Sequence, residues 1–272
     1  MQARVLVVAG SDSGGGAGAQ ADLKTVLALG GYAMTALTAI TAQSTRGVFG
    51  VWPVPLEAVV AQLEVTLDDL GADVVKTGML HDAELVAAVA DVLARRAAAV
   101  PLVVDPVLVA KGGARLLERS AERAVLERLV PRAALVTPNA PELEALTGEQ
   151  VGDEASLLDA ARALVALGAP AVLAKGGHVG TGERVVDWLC ARAGGGALLE
   201  RRFEGPRVAT RSTHGTGCTL ASAVATSLAQ GLPLEAAIER ARAYVLEAIR
   251  AAPGLGSGHG PLGHGHTVRS FP

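Results

Sequence analysis

An anion cradle and a proton acceptor fall side by side at His214-Gly215-Thr216-Gly217-Cys218-Thr219. Glycines and small residues free the backbone just ahead of a helix-like stretch, Leu220 to Gln230. Backbone N–H groups can then converge on an anion at a helix N-terminus. Cys218 follows at once, and a thiol in that place is expected to titrate below its ordinary range. Stabilised negative charge beside a proton acceptor suits phosphoryl transfer. The plainer alternative is a glycine-rich cap on a buried helix, with Cys218 as a small core side chain. A short glycine motif fits either.

Other polar residues stand where short apolar runs stop. Arg4 to Ala9 ends at Gly10-Ser11-Asp12, Tyr32 to Thr41 ends near Gln43, and Val74-Val75 runs into Lys76. Leu102 to Val104 delivers Asp105, Ala134 to Val136 delivers Asn139, and Ala171 to Ala174 delivers Lys175. Ligands gather at the carboxyl ends of parallel strands. The spacing therefore predicts one site built from Asp12, Gln43, Lys76, Asp105, Asn139, Lys175 and Cys218. Asn139 and Glu142 form an N-x-x-E pattern, which offers oxygen ligands to magnesium, directly or through water. The same spacing is a helix cap, the reading it favours when taken alone. Asp105 is either a turn residue or a group that helps hold magnesium-bound phosphate. Lys175 either ends its strand at the surface or neutralises phosphate oxygens.

Helical periodicity covers Ala19 to Leu29, Leu56 to Leu70, Ala83 to Ala98, Ala121 to Val130, Glu142 to Leu146, Glu154 to Leu167, Thr219 to Gln230 and Leu234 to Ala251. Strands alternate with these helices, which implies a mostly parallel sheet covered on both faces. Val48 to Val54 reads as one more strand. Arg184 to Cys190 and Leu198 to Phe203 read as a two-strand excursion around Ala193-Gly194-Gly195-Gly196. No composition break divides residues 1–272, so one domain is expected, closed by a Gly/His-rich tail from Gly254. Hydrophobic residues make up 50% of the chain and aromatic residues only 3%, so Ala, Val and Leu must fill the core.

Several function classes are excluded. A net charge of −3 with scattered basic residues does not make a nucleic-acid surface. The two cysteines, Cys190 and Cys218, form no CxxC, so neither a zinc site nor a disulfide framework is expected. The opening apolar run is too short for a membrane span, and a soluble cytoplasmic protein is expected. Gly14-Gly15-Gly16-Ala17-Gly18-Ala19 satisfies a dinucleotide-binding pattern. No acidic residue lies between Asp22 and Glu57 to take the ribose hydroxyl, which weakens an NAD-dependent oxidoreductase. No P-loop motif occurs either.

Taken together these segments resemble the hydroxymethylpyrimidine/phosphomethylpyrimidine kinases of thiamine biosynthesis, within the ribokinase-like superfamily. The resemblance is carried by Ala9-Gly10-Ser11-Asp12, Gly15 to Gly18, Gln20 to Lys24, Thr41-Ala42-Gln43, Lys76-Thr77-Gly78-Met79 and Val104 to Val107. It continues through Thr137-Pro138-Asn139 with Glu142, Lys175 to His178, Thr213 to Thr219 and Gly258 to Leu262. It implies a three-layer α/β/α sandwich, usually a homodimer, that uses ATP and magnesium. It also implies phosphorylation of 4-amino-5-hydroxymethyl-2-methylpyrimidine and then of its monophosphate. By the same resemblance Gln43 would bind the aminopyrimidine edge, in a pocket lined by Gly10, Ala17, Asp22 and Met79. Asp105, Asn139 and Glu142 would handle magnesium and phosphates, with Thr213 beside the nucleotide. Gly215, Thr216 and Gly217 would supply the anion hole, and Lys175 and Cys218 would assist transfer. His178 and His214 would shape the phosphate region. The chain departs from the family pattern at Asp12-Ser13-Gly14 and at Lys111-Gly112-Gly113, where added backbone freedom bears on loop rigidity. A pyridoxine or pyridoxal kinase on the same scaffold is the nearest rival reading. A catalytically silent pyrimidine- or nucleotide-binding protein is a second.

Overall fold

A computed structural model describes residues 2–108, 119–180 and 182–268; Lys111-Gly112-Gly113 lies outside them. Strand β1 (Arg4–Ala9) shows why the chain layers. Successive strand side chains point to opposite faces, and both faces of β1 are buried. Val5, Val7 and Ala9 pack with Val26, Ala221 and Ala225, which belong to α1 (Gly18–Ala28) and α7 (Thr216–Ala229). Leu6 and Val8 pack into the opposite cluster with Val59, Leu63, Val89 and Leu93. Those side chains come from α2 (Leu56–Asp69) and α3 (Ala83–Arg96). The alternation repeats along β5 (Val74–Thr77), β6 (Leu102–Val104), β7 (Leu135–Val136) and β8 (Ala171–Ala174). Helices α4 (Arg119–Arg128), α5 (Ala140–Thr147) and α6 (Glu154–Ala166) extend the second face, and α8 (Leu234–Arg250) extends the first. The result is the expected three-layer α/β/α sandwich.

With β2 (Tyr32–Leu37), β9 (Arg184–Arg192) and β10 (Leu198–Pro206), the eight-stranded sheet runs β10-β9-β8-β7-β6-β5-β1-β2. Pairing is parallel from β2 to β8, and β9 lies antiparallel to both of its neighbours. The stretch expected as one strand from Tyr32 to Thr41 is broken at Thr38. Its amide donates to Ala9 O at 3.2 Å, its carbonyl accepts from Val54 N at 3.0 Å, and its hydroxyl donates to Met79 O at 2.7 Å. The chain then leaves the sheet as β3 (Ala39–Ser44), which pairs with β4 (Gly47–Pro53) in a separate two-stranded ribbon.

Two more features position the site. Helix α7 begins at Thr216 rather than Thr219, because Gly215 turns the chain into it with φ +83°. The Gly/His-rich tail is a packed strap. His259 N donates to Thr45 O at 2.7 Å, Gly260 N to Arg211 O at 3.2 Å, and Pro261 bridges to His214. Burial pushes the His264 imidazole down to about 4, and its Nε2 sits 2.9 Å from Thr219 Oγ1.

Beneath the start of α7 lies an ion pair with no solvent exposure: Lys76 Nζ to Asp22 Oδ2 at 2.9 Å. Ser222 Oγ donates to Asp22 Oδ1 at 2.7 Å. Burial is the largest influence on Lys76 and opposes its charge, but the negative groups around it, Asp22 foremost and then Asp105, together raise the ammonium pKa. Sheet, α1 and α7 are thus joined by one charge pair. Removing one partner strands the other in a dry interior, so Lys76→Met should cost about 3–5 kcal/mol in urea unfolding. Lys76→Met/Asp22→Leu should recover most of that loss. Equal losses in the single and double variants would show that the pair does not hold the layers together.

Candidate active site

The strand-end residues do converge. Asp12, Gln43, Lys76, Asp105, Asn139, Lys175 and Cys218 all line one cavity of about 1150 Å³. Gly10, Ala17, Met79, Glu142, Thr213, Gly215, Thr216 and Gly217 line it too. Asp22 does not: it is fully buried behind the wall, taken up by Lys76 and Ser222. The expectation that it touches the ligand is corrected accordingly.

The glycine loop after β1 is organised by one carboxylate. Asp12 accepts the amides of Gly14 at 2.8 Å, Gly16 at 3.0 Å and Ala17 at 2.8 Å, and lies 2.8 Å from His214 Nε2. Burial alone would raise the Asp12 pKa, but His214 and these amides bring it below its ordinary value. The loop amides are therefore spent inside the protein, and the dinucleotide-like pattern builds no phosphate cradle.

The candidate cradle is instead the start of α7. Helix geometry leaves the amides of Thr216, Gly217 and Cys218 without intrahelical acceptors. Gly215 must be glycine: an added Cβ would sit 1.8 Å from Gly16 O, at a φ that side chains rarely adopt. A Cβ on Gly217 would stand 3.1 Å from Lys175 Nζ, so the cradle and the lysine share one small space.

Lys175 reaches that space because its backbone pairs with Asn139, with Lys175 N donating to Pro138 O at 2.8 Å. Its Nζ lies 3.0 Å from Asp105 Oδ1 and 3.8 Å from Glu142 Oε2. Burial opposes the Lys175 charge, yet Asp105 and Glu142 raise its pKa overall. Asp105 is lowered in spite of its own burial, chiefly by Lys175 and Lys76. Glu142 is pushed up to about 7, burial being the main cause. The helix-cap reading of the N-x-x-E pattern holds. Asn139 and Glu142 form a full capping box on α5, with Glu142 N donating to Asn139 Oδ1 at 3.0 Å and Asn139 N to Glu142 Oε2 at 2.8 Å. Both also line the cavity.

Cys218 differs from expectation. Burial pushes its thiol up to about 12, with Asp22 and Asp105 adding to the rise and Lys76 opposing it. The helix N-terminus does not overcome a partly dry, carboxylate-flanked setting. The Gly18 amide donates to the sulfur, so Cys218 lies between the starts of α1 and α7.

Gln43 faces the cavity from β3, its amide between Thr41 Oγ1 and His214 Nε2, each at 3.3 Å. Met79 stands close over Gly10, where an added Cβ would lie 2.4 Å from Met79 Cε. Sequence reasoning missed the far wall. Phe203, Val208, Leu246 and Ile249 give it an apolar surface. Asp187 ion-pairs with Arg242 and accepts the Gly176 amide at 2.8 Å. Arg207 donates to the carbonyls of Gly177, Val179, Gly180 and Gly182. Only contacts between distant segments reveal these residues. Among the described residues no cluster of three metal-ligating side chains is preformed, and no helix is long and apolar enough to cross a membrane.

A family model described as phosphomethylpyrimidine kinase matches residues 12–263. The hydroxymethylpyrimidine/phosphomethylpyrimidine kinase of Streptomyces coelicolor is 52% identical over 96% of this chain and 94% of its own. The thiamine biosynthesis bifunctional protein of Geobacter sulfurreducens is 55% identical over 96% of this chain, which spans only 52% of that longer protein. Among solved structures, the ADP complex of Bacillus subtilis pyridoxal kinase aligns with a TM-score of 0.88 at 34% identity, covering 97% of this chain and 98% of that one. The phosphomethylpyrimidine kinase of Clostridium difficile aligns at 0.77 and 35% identity, covering 91% and 100%.

A thiol held near 12 reacts slowly at neutral pH, because the thiolate is the nucleophile. Cys190 is fully buried, so alkylation of the folded protein reads Cys218. Its rate with iodoacetamide at pH 8 should fall below that of free cysteine and keep rising past pH 10. A rate that levels off below pH 8 would restore the low-pKa expectation.

Proposed function

This chain belongs to the phosphomethylpyrimidine kinase family, and we propose that it moves the γ-phosphoryl group of ATP onto 4-amino-5-hydroxymethyl-2-methylpyrimidine and then onto the monophosphate. The observation that carries this reading is the convergence of the strand-end polar residues on the free amides of α7. The substrate alcohol lies between Gln43 and the cradle, against Gly10, Ala17 and Met79. The terminal phosphate sits on the amides of Thr216, Gly217 and Cys218, with Lys175 against its oxygens. Thr213 borders the phosphates, and the apolar wall of β10 and α8 receives the adenine.

Asp105 and Glu142 supply hard oxygen donors that fit magnesium. Asn139, whose amide oxygen caps α5, would hold such an ion through water. Magnesium, when bound, supplies positive charge against the phosphate oxygens. Lys175 follows the migrating phosphoryl group as the in-line geometry develops. Cys218 accepts the alcohol proton only once its own has left. We assign that loss to the loaded site: the thiol proton passes to water at the part-exposed cysteine, and the positive charges of Lys76 and Lys175 favour the thiolate left behind while Asp105 is engaged elsewhere.

We place the enzyme in the cytoplasm, as a homodimer. Ile40, Phe49 and Trp52 are exposed on the β3–β4 ribbon and offer an apolar surface for a second copy. Sedimentation should give twice the chain mass, and Trp52→Glu should lower it; a monomeric wild type would remove the dimer.

One assay compares ATP consumption with hydroxymethylpyrimidine, its phosphate and pyridoxal. Turnover should be highest with the two pyrimidines. Cys218→Ala should lower kcat by about 100-fold and leave the KM for ATP within about twofold. Gln43→Ala should weaken pyrimidine binding in calorimetry by about tenfold, the scale of one lost hydrogen bond. Wild-type kcat in Cys218→Ala would remove the thiol from the mechanism.

A further inference from the structure

The end of Gln43 holds more information than its position alone. The structure sets Gln43 Oε1 beside Thr41 Oγ1 and Gln43 Nε2 beside His214 Nε2, but the two ends of an amide are nearly identical in shape, so its polarity follows from donor and acceptor accounting, which reverses them. At one end, Thr41 Oγ1 is 2.7 Å from Ser11 O and 3.3 Å from the amide. A hydroxyl has a single proton, and the shorter contact takes it. Thr41 is left able only to accept, so the amide nitrogen belongs beside it. At the other end, His214 Nε2 is 2.8 Å from the Asp12 carboxylate and 3.3 Å from the amide. A carboxylate only accepts, so Nε2 carries its single proton towards Asp12; an amide N–H there would face a second donor, so the amide oxygen belongs beside it. Two separate chains of reasoning, from Ser11 and from Asp12, give the same orientation.

We propose that Thr41 and His214 form a polarity clamp that makes Gln43 selective, a proposal that rests on the pyrimidine kinase reading. The clamp takes one N–H of the amide at Thr41 and sets one lone pair against the His214 N–H, whose proton is shared with Asp12. The remaining N–H and the remaining lone pair face the cavity in a fixed left-to-right order. An amidine edge, a ring nitrogen next to an exocyclic amino group, meets that order with two hydrogen bonds. An amide free to rotate would present the wrong order half the time, and a ring without an amidine edge satisfies at most one of the two. Thr41 and His214 are therefore positioning residues. Neither needs to touch the substrate to set which ring is accepted.

Thr41 is the better place to test this, since His214 also abuts the anion cradle. Thr41→Val removes the acceptor at nearly constant shape, and Thr41→Ser keeps it. Thr41→Ala, which leaves a small void in place of a methyl, serves as a second variant should Thr41→Val fold poorly by thermal unfolding. In Thr41→Val or Thr41→Ala the KM and the calorimetric Kd for hydroxymethylpyrimidine should each rise about tenfold. The preference for that pyrimidine over pyridoxal should shrink in the same proportion. The KM for ATP should stay within about twofold, and Thr41→Ser should match wild type on every readout. A folded Thr41→Val or Thr41→Ala protein that binds the pyrimidine as tightly as wild type overturns the clamp. Equal damage in Thr41→Ser and Thr41→Val overturns it as well, because the hydroxyl would then not be the cause. A wild-type protein that neither binds nor phosphorylates the pyrimidine would instead remove the functional reading itself.

Discussion

The carboxylate of Asp12 is the contact on which the site depends. It closes the loop after β1 by taking the amides of Gly14, Gly16 and Ala17, and it holds the imidazole of His214 from the far end of the chain. That loop and the turn into α7 meet so tightly that a Cβ added to Gly215 would sit 1.8 Å from Gly16 O. A buried carboxylate surrounded by donors is a stiff element, because each unmade bond there would cost the full desolvation of the group. The start of α7 and the β3–β4 ribbon therefore keep one fixed relation.

Charge is arranged around this frame in opposed pairs. Lys76 answers Asp22 in the dry interior, and Lys175 answers Asp105 and Glu142 at the cavity wall. Cys218 lies among all of them. These charges nearly cancel, and burial keeps the thiol protonated. Burial likewise pushes Glu142 up to about 7.

Much of this was legible in the sequence, because it lives in local patterns. Apolar runs stopped by polar residues gave the parallel strands, and the carboxyl-end rule brought Asp12, Gln43, Lys76, Asp105, Asn139, Lys175 and Cys218 together before any coordinates did. What stayed hidden depends on partners far along the chain. Nothing near Asp22 announces that Lys76 and Ser222 will bury it. Nothing near Cys218 announces the carboxylates that hold its proton, and a helix N-terminus by itself argued the opposite. Thr38 looked like the middle of a strand because its bonds to Ala9, Val54 and Met79 come from three other segments. His214 read as a shaping group, yet its partner Asp12 lies at the opposite end of the sequence.

The C-terminal strap has a consequence in time. Translation runs from the N-terminal side, so the strands and helices of the sandwich are made before Pro261 reaches His214 and before His264 reaches Thr219 and Tyr244. Until those contacts form, the turn into α7 lacks its outer brace. A nascent chain can thus own a nearly finished core around a corner that is still unbraced.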